Sequence, residues 1–416
     1  MKNKILCGDS LEVLKDFEDN YFDSVVTDPP YGLAFMGKKW DYDVPEVELW
    51  KEVYRVLKSG GHLLSFAGSR TYHRMAVNIE DAGFEIRDML GWLYGSGFPK
   101  SHNIGKAVDK IQGNKREEVE EEHWGRKNRN KEYSANVFTG NRVNDETINK
   151  RTITKGNSQW EGWGTALKPA HEPIVMARKP FNTSVAENVL THGTGGINID
   201  ECRVGTEKRK SKGMSSLGVM HDDDWKPKDI ETESTGRFPA NIIHDGSEEV
   251  LEIFPETKSG TGAIRKNAKG LFGLGGDNKP NIEYDDKGSA ARFFYCAKAS
   301  KAERNMGLDD FDKKSNAFMA TKNGTSGKAS KGMERFKTQP KANYHPTVKP
   351  IKLMEYLVRL ITPKEGIVLE PFAGSGTTLI ACKQQGFNYI GIEREQEYCD
   401  IAEARLKAVQ VQGELF

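Results

Sequence analysis

The 416-residue chain has no run of about 18 apolar residues and no basic, apolar leader segment. A helix needs roughly 20 apolar residues to cross a bilayer, so the first absence predicts that the chain does not enter a membrane. The second predicts that it is not exported, and together they indicate a cytoplasmic protein. With 37% hydrophobic and 29% charged residues, the chain has room for one large α/β domain and a substantial insertion.

Cysteine is scarce too. The five cysteines are scattered and odd in number: Cys7, Cys202, Cys296, Cys382 and Cys399. This distribution predicts reduced thiols rather than a disulfide framework. No group of histidines and cysteines has the spacing of a metal site, so no metal is predicted.

The chain also lacks a strong overall charge, since 61 Lys and Arg against 60 Asp and Glu leave a net charge of +1. The total conceals a gradient: Lys258–Lys341 holds 18 basic and 9 acidic residues, a local charge of +9. Aromatic residues are interleaved with these charges, at Phe272, Tyr284, Phe293, Phe294, Phe311, Phe318 and Phe336. This composition favours a surface that contacts phosphates, and a merely solvated face is the alternative.

The most informative feature present is a four-residue turn. The apolar run Ser24–Thr27 is typical of a buried strand, and Asp28, Pro29, Pro30 and Tyr31 follow it. In a doubly wound sheet, ligands bind where such strands end. Asp28 and the carbonyl of Pro29 can each accept a hydrogen from one amine, the prolines stiffen the backbone, and Tyr31 offers a stacking face. The turn predicts a clamp for a flat ring that carries an exocyclic amine.

A second strand and turn lie near the other end of the chain. Residues 366–378 have the pattern of a strand, a glycine turn and a helix, and Gly374 and Gly376 allow the backbone to approach a ligand. A triphosphate-binding loop would need a lysine where this chain has Thr377, and a dinucleotide fingerprint would need a third glycine. The next strand ends at Glu393, at the spacing of a ribose-binding carboxylate. The pattern predicts a cofactor with a ribose but no pyrophosphate.

These motifs resemble those of the beta group of DNA amino-methyltransferases, which methylate the exocyclic nitrogen of adenine or cytosine. The turn Asp28–Tyr31 is similar to the catalytic motif of the family, and Phe372–Gly376 matches its Phe-x-Gly-x-Gly motif. Tyr344–Pro350 is similar to the segment that precedes the glycine loop and lines the methionine pocket. As in the beta group, the catalytic motif comes first and the cofactor loop last. The enzymes that methylate glutamine in proteins keep the opposite order.

The resemblance implies a Rossmann-like, doubly wound and mostly parallel α/β sheet with a large inserted target-recognition region. It implies S-adenosyl-L-methionine as cofactor, with Asp28, Pro29, Pro30 and Tyr31 as the catalytic residues. The residues that it assigns to cofactor binding are Asp9, His345, Pro346, Thr347, Lys349, Glu370, Pro371, Phe372, Ala373, Gly374, Ser375, Gly376, Thr377, Thr378 and Glu393. Glu393 is expected on the ribose hydroxyls. Asp9 is expected on the adenine, although it is equally well placed to cap a helix from Ser10 to Phe17.

The predicted reaction is site-specific methyl transfer to the N6 amine of an adenine flipped out of double-stranded DNA. Cytosine N4 is the alternative, and adenine is favoured because the cytosine enzymes of the family more often carry Ser where this chain has Asp28. No cysteine follows a proline, which removes the nucleophile that ring-carbon cytosine methylation needs. RNA as the substrate stays open, because stacking and phosphate contacts serve both polymers, and a non-catalytic nucleic-acid-binding regulator is the remoter alternative. A cognate restriction endonuclease is a candidate partner. Monomer or homodimer, and a bacterial, phage or mobile-element origin, stay open.

Composition and periodicity divide the chain into five predicted parts. These are a catalytic half (1–112), a charged flexible insertion (113–164), a core strand (165–190), a target-recognition region (191–340) and a cofactor-binding half (341–416). Within the first part, a helix near 46–57 is followed by a turn at Lys58–Gly61 and a strand at 62–66. The low-complexity stretch Lys313–Lys331 is predicted to be disordered without nucleic acid.

Overall fold

The computed structural model describes residues 2–33, 41–97, 101–124, 148–214, 229–258, 287–297, 303–309, 311, 342–345 and 347–409. The predicted disordered stretch 313–331 and the predicted site residue Pro346 lie outside the described residues. The chain divides into two compact units: residues 1–95 together with 171–416, and residues 96–170.

Both strands and α-helices occur along the described residues. The strands are β1 (Lys4–Cys7), β2 (Phe22–Thr27), β3 (Leu57–Phe66), β4 (Glu85–Leu93), β5 (Glu117–Trp124), β6 (Ile148–Lys155), β7 (His171–Arg178), β8 (Val204–Met214), β9 (Asp229–Arg237), β10 (Ile242–His244), β11 (Glu256–Lys258), β12 (Lys287–Ser289), β13 (Tyr295–Cys296), β14 (Ile367–Glu370) and β15 (Asn388–Glu393). The helices are α1 (Ser10–Leu14), α2 (Val47–Val56), α3 (Tyr72–Asp81), α4 (Ile104–Gln112), α5 (Val185–His192), α6 (Glu248–Leu251), α7 (Ile351–Ile361), α8 (Thr377–Gln385) and α9 (Gln396–Ala408).

One nine-stranded sheet organises the larger unit, in the order β1-β15-β14-β2-β3-β7-β4-β10-β13. Neighbouring strands are parallel except where β7 pairs antiparallel with both β3 and β4. From the β14–β2 pair, β15 continues the sheet to one side and β3 to the other. The chain therefore changes direction between β14 and β2, and this is where a doubly wound sheet binds its ligand.

Two hydrophobic cores lie on opposite faces of this sheet. Successive strand residues point to opposite faces, and Val25 and Val26 belong to different clusters of buried side chains. The cluster that contains Val25 includes buried residues of α2 and α3, such as Trp50 and Met75. The cluster that contains Val26 includes buried residues of α7 and α8, such as Leu357. Helices cover both faces, so the predicted doubly wound α/β fold is confirmed.

The predicted turn at Lys58–Gly61 is wrong, because these residues belong to β3. The Gly60 N–H donates to the carbonyl of Lys179 (3.0 Å), and the Lys179 N–H donates to the carbonyl of Gly61 (2.9 Å). Gly60 accommodates the irregularity with a φ of 78°, a conformation that glycine adopts at little cost. Pairing with the chain beyond β7 thus outweighs the local turn preference of a Ser-Gly-Gly sequence.

The smaller unit, residues 96–170, contains α4 and the antiparallel pair β5–β6. Asn103 caps α4 by accepting from the N–H of Lys106 (2.8 Å). Arg116 forms ion pairs with Asp109 and Glu161. The strands β5 and β6 fall in the stretch predicted as a flexible insertion and are regular elements that the sequence analysis did not predict.

Candidate active site

The two predicted motifs follow neighbouring strands. In the parallel pair β14–β2, Val368 lies opposite Ser24 and Leu369 opposite Val25. The carboxyl ends of both strands therefore meet at one edge of the sheet, and the residues after β2 and after β14 emerge side by side. Stretches from opposite ends of the sequence therefore lie side by side, and their roles in one site stay a prediction.

The carboxylate of Asp28 carries a hydrogen bond on each oxygen. Its Oδ1 accepts from the hydroxyl of Tyr31 (2.7 Å), and its Oδ2 accepts from Nζ of Lys349 (2.6 Å). Lys349 lies 321 residues along the chain, in the segment predicted to line the methionine pocket. The structure thus places a predicted cofactor residue directly on the predicted catalytic acid.

A second carboxylate, that of Glu172, shares these donors. Its Oε2 lies 3.2 Å from the hydroxyl of Tyr31 and 3.2 Å from Nζ of Lys349. The Lys349 side chain is 8% exposed, and its ammonium lies 4.7 Å from the centre of the Phe66 ring. Sequence reasoning missed Glu172, although one signal was present: an acid near the start of an otherwise apolar strand.

The surroundings of Lys349 and Tyr31 set their protonation states. Burial lowers the pKa of Lys349, but the charges of Asp28 and Glu172 outweigh it and leave that pKa above its ordinary value. Burial, helped by the same two carboxylates, raises the pKa of Tyr31 well above its ordinary value. At neutral pH the site therefore holds an ammonium and a neutral phenol.

The backbone of Tyr31 is anchored from both sides by residues outside the motif. The buried carboxylate of Asp41 accepts from the N–H of Tyr31 (2.7 Å) and from the N–H of Gly32 (3.1 Å). The hydroxyl of Thr71 donates to the carbonyl of Tyr31 (2.6 Å). Sequence reasoning missed both Asp41 and Thr71, because nothing local marks a residue as an anchor for a turn elsewhere.

The glycine loop after β14 lies against the end of β15. The N–H of Gly374 donates to Glu393 Oε2 (2.8 Å), and the N–H of Ala373 donates to the carbonyl of Ile392 (2.8 Å). Gly374 and Gly376 have φ angles of 51° and 77°, which favour glycine. Burial raises the pKa of Glu393, although its backbone donors oppose that shift. Glu393 therefore lies beside the loop, where its predicted ribose-binding role requires it.

Glu370 is buried beneath the loop. Its Oε1 accepts from the hydroxyl of Thr27 (2.5 Å) and the N–H of Phe372 (3.1 Å), and its Oε2 accepts from the hydroxyl of Thr378 (2.6 Å). Burial raises the pKa of Glu370 to about 8, against these donors. The groups around this carboxylate are protein groups of β2, the loop and α8, so Glu370 ties the two site-bearing strands together.

The polar side chains at the start of α8 are mostly buried, as is the neighbouring loop residue Ser375. Arg405 of α9 donates to the hydroxyls of Ser375 (3.1 Å) and Thr377 (3.2 Å). The hydroxyls of these predicted cofactor residues are therefore hydrogen-bonded to Arg405, which connects the loop to α9.

The segment before α7 packs against the glycine loop. A Cβ on Gly374 would lie 2.9 Å from Nε2 of His345. Nδ1 of His345 lies 3.1 Å from the carbonyl of Thr347, which places the ring proton on Nδ1. Burial lowers the pKa of His345 to about 4, so the ring is neutral and Nε2 is an acceptor.

Asp9 caps α1, which is one of its two predicted roles. Its side chain accepts from the N–H of Leu11 (3.0 Å). The neighbouring hydroxyl of Ser10 donates to the carbonyl of Pro371 (2.5 Å), which brings the start of α1 to the glycine loop. The adenine contact of Asp9 stays a prediction.

Only parts of the basic stretch 258–341 belong to the described residues. Within it, the guanidinium group of Arg292 lies 4.4 Å from the ring centre of Phe293, and that of Arg237, which precedes the stretch, lies 4.9 Å from the same ring centre. Within the described ranges, no cluster of His, Cys, Asp or Glu is arranged to hold a metal ion. Among the helices of the part that the structure describes, none has the length and apolar character of a membrane span.

The chain matches one protein-family model and is similar to several known proteins. The N6_N4_Mtase family, described as DNA methylase, matches residues 22–404. The chain is 23% identical over 383 residues to the Type II methyltransferase M.HindIII of Haemophilus influenzae, covering 91% of this chain and 74% of that protein. It is 43% identical to the Type II methyltransferase M.HinfI of Haemophilus influenzae over 79 residues, which are 19% of this chain and 22% of that one. The solved M1.HpyAVI complex with SAM covers 97% of this chain and 99% of its own, with 16% identity and a TM-score of 0.38.

Proposed function

The chain belongs to the DNA methylase family, and from this premise we propose that it methylates the N6 amine of an adenine turned out of duplex DNA. The resemblance stated from the sequence is confirmed by this membership, and so is the prediction of S-adenosyl-L-methionine as cofactor. The choice of adenine and the extrusion of the base are the proposed part.

One observation carries the proposal: the carboxylate of Asp28 and the glycine loop after β14 lie at the same edge of the sheet, at the change of strand direction. Asp28 and the carbonyl of Pro29 accept the two hydrogens of the target amine. These bonds favour a tetrahedral nitrogen and direct its lone pair away from the ring. The chain's main task is then alignment, since a well-oriented pair of reactants can gain about 7 kcal/mol or more over a free encounter.

The residues present fit the cofactor. Gly374 leaves open the position of a side chain beside His345, and Glu393 offers carboxylate oxygens next to the loop. The glycine loop and Glu393 would hold S-adenosyl-L-methionine, which would supply an electrophilic methyl group on positively charged sulfur, and the target amine would give up one proton in exchange for that methyl group. Because that proton can leave after the transfer, the chain needs no dedicated base.

The target base must leave the duplex to reach Asp28, at a cost of a few kcal/mol. Stacking on the Tyr31 ring offsets part of this cost, since base–aromatic stacking contributes about 1–3 kcal/mol. Phosphate contacts from the basic stretch 258–341 offset more. Residues 191–340 are proposed to recognise the target sequence, because they lie between the catalytic and cofactor halves where the family has its variable segment.

Adenine is preferred over cytosine because Asp occupies position 28. Treated DNA, digested to nucleosides and measured by mass spectrometry, is expected to contain N6-methyladenine. Detection of N4-methylcytosine would instead identify cytosine as the target base. Absence of methylation in both DNA and RNA would contradict the proposal.

The remoter alternative, a non-catalytic nucleic-acid-binding regulator, predicts no bound S-adenosyl-L-methionine. Calorimetry of the chain with this compound separates the two, and saturable one-to-one binding is the expected result. A cognate restriction endonuclease is proposed as a partner, since M.HindIII and M.HinfI are Type II methyltransferases.

A further inference from the structure

We propose that Glu172 is a positioning residue that takes over the ammonium of Lys349 and the hydroxyl of Tyr31 when Asp28 binds the target amine. The inference rests on the proposed function and deepens it. It assigns a role to a carboxylate outside every motif that the sequence analysis identified.

The first step is a conflict at Asp28. Both of its oxygens already accept strong hydrogen bonds, from Tyr31 at 2.7 Å and from Lys349 at 2.6 Å. The exocyclic amine needs an acceptor at this same carboxylate, and a bond between an ammonium and a carboxylate is stronger than one from a neutral amine. The incoming base therefore competes poorly unless the ammonium has another partner.

The second step is the cost of releasing Lys349. Its side chain is 8% exposed and lies against the rings of Phe66 and Tyr31. An ammonium left without a counter-charge at such a position costs several kcal/mol. Release from Asp28 is therefore feasible only when a second carboxylate stands within a short movement of Nζ.

Glu172 meets that condition. Its Oε2 is 3.2 Å from Nζ of Lys349 and 3.2 Å from the hydroxyl of Tyr31, so both donors of Asp28 already make a longer contact with one oxygen. A shift of about half an ångström converts these contacts into close hydrogen bonds, given the usual donor–acceptor distances. Glu172 is held in turn by Tyr94, whose pKa rises through burial, the charge of Glu172 and a hydrogen bond to it.

The charges of the cluster also permit this exchange of partners. Two carboxylates and one ammonium give the cluster a net charge of −1 if both acids are ionised. Moving the ammonium from Asp28 to Glu172 keeps it paired and leaves the uncompensated charge on Asp28. The target amine then meets a carboxylate whose acceptor strength is no longer shared.

The test uses single-turnover methylation by the full chain, with cofactor affinity measured by calorimetry. Glu172→Gln is expected to slow methyl transfer about 10–100-fold, the range in which misplaced reactants fall. Its cofactor affinity is expected to change little, because the polar contacts of Glu172 go to Lys349 and Tyr31. The control is Glu85→Gln, which removes the partner of Arg178 at the other end of β7 and is expected to leave both quantities unchanged.

A double variant separates positioning from a structural role. In Glu172→Gln the ammonium of Lys349 loses one of its two carboxylate partners and keeps Asp28 together with the hydroxyl of Tyr31 (3.1 Å), so adding Lys349→Met should restore part of the lost rate. A double variant that is as slow as Glu172→Gln, or slower, overturns the proposal. A Glu172→Gln variant that keeps the wild-type rate also overturns it. So does a Glu172→Gln variant whose cofactor affinity falls by the same factor as its rate of methyl transfer. If Glu172→Gln does not fold, Glu172→Asp keeps the charge on a shorter arm and is expected to give an intermediate rate, and an unchanged rate overturns the proposal. Failure of the wild type to methylate DNA would instead remove the proposed function.

Discussion

The two halves of the site are supported in different ways. The catalytic turn after β2 is held by side chains from remote parts of the chain: Lys349 lies 321 residues from Asp28, and Glu172 lies 141 residues from Tyr31. At the glycine loop after β14, Glu393 lies 19 residues from Gly374 and Arg405 lies 30 residues from Ser375, while Ser10 and Thr27 reach the same loop from the start of the chain. The backbone and hydroxyl groups of the glycine loop are thus held partly by near neighbours in sequence, whereas the ion pairs of the catalytic turn form only in the folded chain.

The contrast matters for how the halves respond to change. A substitution in the loop acts on a compact strand–turn–helix unit, so its effect should be confined to the affinity for the cofactor. A substitution in the catalytic turn acts on an ion-pair cluster of several segments, so its effect should fall on the methyl transfer step.

The largest expected effect comes from Asp28→Ala, which tests whether the halves are separable. It removes the proposed acceptor of the target amine, and methyl transfer should fall by about 10³-fold, comparable with the loss of a group that stabilises a transition state. The affinity for S-adenosyl-L-methionine should change little, because Asp28 makes no bond to the glycine loop. A normal rate at saturating cofactor, with weakened cofactor binding, would show that the motif is misassigned. Rates are measured by single turnover and affinity by calorimetry.

The next largest effect is expected from Tyr31→Ala, which tests whether the ring or the hydroxyl of Tyr31 supports methyl transfer. Loss of stacking and of the hydroxyl should slow transfer about 100-fold, since stacking alone contributes about 1–3 kcal/mol. Tyr31→Phe keeps the ring and should be slowed about tenfold or less, through loss of a hydrogen bond to a charged partner. Equal losses for both variants in single-turnover assays would argue against stacking.

Gly374→Ala probes the cofactor half. A φ of 51° costs an alanine roughly 1–2 kcal/mol, and its Cβ would meet Nε2 of His345 at 2.9 Å. Cofactor affinity should fall about tenfold or more, with the rate at saturation largely kept. The matched control is Gly386→Ala at the end of α8, where φ is 76° and a Cβ would meet nothing within 4 Å. Calorimetry should find its cofactor affinity unchanged, and an equal loss in both would point to general destabilisation.

The smallest effect concerns Glu370, which joins the two halves. Its pKa of about 8 lies above the ordinary 4.5, so between these values the folded chain binds a proton that the unfolded chain has lost. The free energy of unfolding should therefore decrease as pH rises through this window, by about 1 kcal/mol between pH 6 and pH 7. Glu370→Gln can keep the bonds to Thr27, Phe372 and Thr378, and urea unfolding should show this part of the pH dependence removed. An unchanged slope would mean that Glu370 is ionised in the folded chain.

The sequence was sufficient for much of the fold because several elements have strong local signals. The apolar run before Asp28, the helix after Pro350 and the glycine loop were all predicted, and each appears within a few residues of its predicted bounds. The turn predicted at Lys58–Gly61 is wrong, because pairing with Lys179 decides the conformation of these residues. The pair β5–β6 was missed for the opposite reason, since charged residues such as those at Glu117–Glu122 hide the alternation of a strand.

The candidate site shows the same division. Its motifs were found from residue type and spacing, but Glu172, Asp41 and Thr71 carry no local mark of their role. Their positions follow from strand order and from the path of the chain after β2. Lys349 was identified, yet its contact with Asp28 was not expected.

The sequence by itself determined the chemistry at each strand end: which residues accept hydrogen bonds, which glycines permit a left-handed backbone, and which order the motifs follow. These are properties of short segments, and they are the same wherever the segment lies in the fold. Only the tertiary structure decided that Lys349 pairs with Asp28 and Glu172. A buried ammonium must lie within a few ångströms of a counter-charge, and distance in space is set by the packing of the whole sheet rather than by separation along the chain.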